Sequence, residues 1–169
     1  ATAGAQVFQE GFSLITVGGT SGTGLMTLGV TASTFTFLSP LTVQNNGTIN
    51  VAGTLNYSGT TLTTGALSVI ATTKIAIAGG TTIAPTGGNQ LNIVLKADAL
   101  DMSTGVTSAI TINAGGGSVA IVSDTSLTPA ATTYNATYNR IYSAGGILTI
   151  APFSNASTIG VGVTGRTLN

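Results

Sequence analysis

The feature that most constrains this chain is a short unit, apolar–small polar–apolar, that recurs along almost its whole length. It reads LITV at Leu14–Val17, FTF at Phe35–Phe37, LTV at Leu41–Val43, INV at Ile49–Val51 and LNY at Leu55–Tyr57. It continues as LSV at Leu67–Val69, IAI at Ile75–Ile77, LNIVL at Leu91–Leu95, ITI at Ile110–Ile112, VAI at Val119–Ile121 and LTI at Leu148–Ile150. Alternation of this kind sends two side chains to one face of a strand and one to the other. The units are parted by turn-forming pairs such as Gly18-Gly19, Asn46-Gly47, Ser58-Gly59, Gly79-Gly80, Gly87-Gly88 and Gly145-Gly146, and by the run Gly115–Gly117. Strands this short and this regular belong either to a sandwich or barrel, or to a solenoid.

A longer spacing favours the solenoid. Leu14, Phe35, Leu55, Ile75 and Leu95 follow one another at a nearly constant step of about 20 residues, within the range of solenoid repeats. Ile49, Leu67 or Val69, and Leu91 form a looser second series. Hairpins of a sandwich have no reason to hold such a register, whereas a solenoid repeats one coil of a few strands. The expectation is an all-β, right-handed parallel β-helix over residues 1–169, of about eight coils, on the order of 40 Å long at the inter-strand spacing of a sheet. The alternative is an antiparallel β-sandwich. Two stretches depart from the pattern. Val94–Met102 holds three of the eight charges and reads as a helical turn or a polar-faced strand. Asp124–Ser143, with Pro129 and three tyrosines, reads as a loop excursion from the coil.

Composition removes whole classes of function. Only four Lys or Arg and four Asp or Glu occur in 169 residues, with no His, Cys or Trp. Imidazole bases, thiolates and Cys/His metal sites are therefore unavailable. Four cations cannot neutralise a phosphate backbone, so no nucleic acid is expected as a partner. Apolar runs end after three or four residues, far short of a membrane-spanning helix, and no signal peptide is legible at the N-terminus. With 32 Thr, 14 Ser and 43% hydrophobic residues, the chain is β-prone rather than disordered. No enzyme and no cofactor are expected.

Neither terminal stretch reads as a cap, although an open solenoid end exposes bare strand edge. The expectation is that both ends stack on something similar, a like repeat or another copy. Gly11–Gly18 (GFSLITVG), Leu41–Leu55 (LTVQNNGTINVAGTL), Leu67–Ala78 (LSVIATTKIAIA) and Leu148–Gly162 (LTIAPFSNASTIGVG) resemble the filamentous-haemagglutinin-like exoproteins and related autotransporter passengers of bacteria. The NPNG-type motif of an export domain is missing, so the resemblance is to the shaft. It implies secretion to the cell surface and a tandem, adhesive or biofilm-building fibre of like repeats head-to-tail; surface glycans are a second expected partner, by way of the tyrosines below.

Four groups of residues could carry chemistry. Tyr134, Tyr138 and Tyr142, with Arg140 between the last two, could form an aromatic platform for a sugar or a neighbouring subunit, or simply cover the side of the coil. Asp98 and Asp101 beside Lys96 are the one close acidic pair, the minimum for glycoside hydrolysis; a solvated turn is the plainer reading. Sequons at Asn46, Asn56, Asn135 and Asn155 are about as many as chance supplies in so Ser/Thr-rich a chain. An ice-binding face would need a regular T-x-T ladder, and Thr34–Thr36, Thr61–Thr63 and Thr72–Thr73 share no single register. No metal site is expected.

Overall fold

Half-buried alternation makes each unit a strand, and the strands wind into coils. The computed structural model describes residues 10–104, 109–128 and 139–154, and every regular element in them is a β-strand. The first coil is β1 (Ile15–Gly19), β2 (Met26–Leu28) and β3 (Thr34–Phe37). The second is β4 (Leu41–Asn45), β5 (Thr48–Val51) and β6 (Thr54–Tyr57); the third is β7 (Thr64–Ala71), β8 (Lys74–Ala78) and β9 (Thr82–Pro85). The fourth is β10 (Gln90–Lys96), β11 (Ala99–Thr104) and β12 (Ile110–Asn113). The fifth is β13 (Val119–Val122), β14 (Thr125–Thr128) and β15 (Asn139–Tyr142), and β16 (Leu148–Ala151) opens a sixth.

Each strand of a coil joins a different sheet. Sheet A is β1-β4-β7-β10-β13-β16, sheet B is β2-β5-β8-β11-β14 and sheet C is β3-β6-β9-β12-β15. All pairings are parallel. The chain is thus a three-sided parallel β-solenoid, and the antiparallel sandwich does not apply.

Among the described residues there are five coils and one further strand rather than the expected eight coils, because the coil is longer than the period that the sequence suggests. In sheet A, Ile15, Leu41, Leu67, Ile93 and Val119 form one stack with equal steps along the chain. The same step separates Asn46 from Thr72, and Asn92 from Ser118, which hydrogen-bond from coil to coil. Of the residues that set the apparent period, only Phe35 and Leu55 are stacked partners. Ile75 lies in sheet B on Ile49, and Leu95 in sheet A on Val69. Six stacked strands rise only about 24 Å along the axis.

The inward side chains form one continuous core. Ile49, Leu55, Leu67, Ile75, Ile83 and Ile112 are completely buried, each stacked on apolar residues of the neighbouring coils, and Leu91 is equally buried although it stacks on Gly65. Burying a side chain of this size contributes roughly 1.5–3 kcal/mol. In sheet C the stack becomes aromatic, with the Phe37 and Tyr57 rings 5.5 Å apart and inclined at 52°.

Corners are built from Asn and Gly. Buried Asn45 donates from Nδ2 to the carbonyls of Gly24 (2.5 Å) and Thr48 (3.0 Å), tying two coils at the A–B corner. At the B–C corner Gly29, Gly53 and Gly80 all take positive φ, and a Cβ on Gly53 would collide with the Val30 carbonyl oxygen. Gly18 and Gly19, which read as punctuation, lie inside β1.

Val94–Met102 contains no helical turn: it is the end of β10, a corner at Ala97-Asp98, and the start of β11. Within Asp124–Ser143, β14 pairs with β11 through a register shift between Ala99 and Asp101, and β15 pairs with β12 in unbroken register. Of the Asp124–Ser143 excursion, residues 129–138 lie outside the described residues.

Candidate interaction surfaces

Tyr134 and Tyr138 also lie outside the described residues. Arg140 and Tyr142 alternate on β15, so both project from the outer face of sheet C, where Arg140 is exposed and Tyr142 is 50% exposed. They end two outward rows. One runs Thr34, Thr54, Thr82, Thr111 and Arg140. The neighbouring row begins Thr36, Asn56 and Ala84 and ends with Asn113 and Tyr142. Four threonines therefore do stack, although no common register shows in the sequence. The step from Thr54 to Thr82 is longer than that from Thr34 to Thr54, and this inequality hides the row. Among the second row's described residues only Thr36 completes a T-x-T pair, so the face is a single hydroxyl ladder beside a mixed one.

The acidic residues are split. Asp101 faces outward on β11 and bridges to Lys74 at 3.6 Å. Asp98 sits at the A–B corner, where its carbonyl accepts bonds from the Asp124 N–H and the Ser123 hydroxyl, both at 3.0 Å. Asp124, distant in sequence, is thus the true neighbour of Asp98, and its Oδ1 accepts the Ser154 N–H at 2.8 Å. Lys96 lies over the Phe153 ring, 5.7 Å from its centroid. Among the described residues no three His, Cys, Asp or Glu side chains come together. A depression of about 380 Å³ outside sheet B, lined by Thr27, Val30, Asn50, Ala52 and Ala76, contains no ionisable group.

The most conspicuous surfaces are the two ends. Among the described residues β1, β2 and β3 have a sheet neighbour on one side only, as do β16, β14 and β15. Exposed large apolar side chains concentrate there. Phe12 and Leu14 lie just before β1, Leu25 and Val30 flank β2, Tyr142 ends β15 on the outer face of sheet C, and Ile147 and Leu148 stand at the start of β16; among the described residues Leu62 is the remaining one. Leu148 stacks on Val119, which is 2% exposed, yet is itself 53% exposed because no described strand follows. One further site escaped sequence reasoning: Glu10, a lone acid with no motif around it, reaches the loop between β6 and β7.

Comparison with protein-family models, curated proteins and solved structures finds no match.

Proposed function

We propose that this chain is a structural, adhesive segment of an extracellular surface fibre, stacking end to end with like segments. The observation that carries the reading is the coincidence, at both ends of the described coils, of one-sided parallel strands with exposed apolar side chains. Such edges template further strands. Joining one end to the other is a heterologous contact, which leaves a free end after every addition and gives an open filament. Zero net charge minimises repulsion between copies. In this reading the solenoid winds right-handed, as parallel crossovers almost always do. It is a scaffold rather than a catalyst. Secretion and the cell-surface location follow from the likeness to haemagglutinin-type shafts.

Fibre diffraction and electron microscopy of purified protein at neutral pH test it. Filaments one solenoid wide, with a meridional reflection near about 4.8 Å, are the expected result. Particles that stay monodisperse at high concentration would exclude end-to-end stacking. A second reading, a carbohydrate-binding module, is favoured by the exposed Tyr142 beside Arg140. Binding to a glycan array that disappears in Tyr142→Ala would support the module. Weakened filaments with no sugar binding would support the fibre.

A further inference from the structure

We infer that the loop between β6 and β7 is a preformed binding site for one carboxylate, which the chain fills with its own Glu10. Glu10 is remote from this loop in sequence. Its Oε1 accepts bonds from three successive backbone N–H groups, those of Thr60 (2.8 Å), Thr61 (2.6 Å) and Leu62 (3.3 Å). Its Oε2 accepts the Thr60 hydroxyl at 2.5 Å. Successive N–H groups aimed at one point form an anion-binding concavity.

Contacts in which Glu10 takes no part hold this loop in shape. The hydroxyl of buried Tyr57 donates to the Leu62 carbonyl from beneath. From the next corner, Asn89 Nδ2 donates to the Gly59 carbonyl at 2.8 Å, and the Gln90 N–H to the Thr63 carbonyl at 2.7 Å. Gly59 fits against the Tyr57 hydroxyl only because it lacks a Cβ. The donors are thus aimed before any anion arrives. All of them are neutral. Of the two lysines, Lys74 pairs with Asp101 and Lys96 lies on Phe153. Four neutral donors, three on one oxygen and one on the other, suit a singly charged carboxylate better than a doubly charged phosphate.

The test is amide NMR of the whole chain at pH 7, with Glu10→Ala to vacate the loop and sodium acetate as the probe. In the variant the Thr60, Thr61 and Leu62 amide signals move upfield. Acetate returns them saturably toward their wild-type positions, while sodium chloride at equal ionic strength does not. The wild-type signals stay still, because Glu10 already occupies the site. Acetate and chloride acting alike on the variant would overturn the inference. So would large changes in the Gly59 amide and Asn89 side-chain signals on vacating the loop, since the site would then not be preformed.

Discussion

Tyr57 lies fully buried beneath the β6–β7 loop, with its hydroxyl on the Leu62 carbonyl and its ring under Gly65. A Cβ on Gly65 would stand 2.5–2.6 Å from three atoms of that ring. Gly65→Ala is therefore expected to destabilise by roughly 1–3 kcal/mol, the usual cost of overfilling a packed core, read as a lower urea midpoint at unchanged slope. The Glu10 carboxyl is held at about 2, well below 4.5, chiefly by the Thr60 hydroxyl and then by the Thr61 N–H. Its folded form binds a proton less readily than its unfolded form, so the contact contributes fully above about pH 4.5 and fades as pH falls toward 2. Stability curves of wild type and Glu10→Gln should differ at neutral pH and converge across that window. Tyr57 shifts the other way: burial first, and the Glu10 charge second, hold its phenol above the usual 10. The unfolded phenol then ionises first, so stability is lost as pH rises past 10. No residue pattern foretold either group's part. Glu10 and the Thr60–Leu62 backbone, 50 to 52 residues apart, meet only in the folded chain.

At the scale of elements, every one of the alternating units overlaps a strand. Alternation is local, and a half-buried strand needs nothing else to declare itself. One strand with the pattern, Met26–Leu28 (MTL), is not in the series above, and the other unmarked strands carry it weakly or not at all. Thr82–Pro85 carries a single β-branched aliphatic residue, Ala99–Thr104 includes Asp101, and Asn139–Tyr142 begins Asn-Arg. Backbone bonds to the neighbouring coils hold them extended. The core columns should be sensitive in proportion to burial. Ile75→Ala, at a completely buried position between Ile49 and Leu100, is expected to cost about 2–5 kcal/mol. Lys74→Ala, which breaks a half-exposed ion pair, should cost under about 1 kcal/mol. Denaturant unfolding of the two variants side by side checks the contrast.

At the scale of the molecule, coil length can be tested by deletion. Removing residues 67–92 joins equivalent positions of β7 and β10 and should leave a shorter solenoid that still melts cooperatively. Removing residues 67–86, one step of the apparent period, should abolish the cooperative transition. Circular dichroism on heating distinguishes them. Charge placed at an end, as in Ile147→Lys at a 69% exposed position, is expected to shorten filaments without lowering the melting temperature of the monomer; sedimentation and calorimetry read the two effects separately. The sequence by itself determined the β class and the inward residues of most strands, because alternation acts within a strand's own length. Only the tertiary structure decided which strands stack. Partners are set by the corners, and these vary. Sheet A keeps one even step from Ile15 through Leu41, Leu67 and Ile93 to Val119. Sheet C steps unevenly, from Thr34 to Thr54, then further to Thr82 and Thr111. A periodicity read through corners of unequal length mixes three sheets into one series, and only hydrogen bonding between coils separates them.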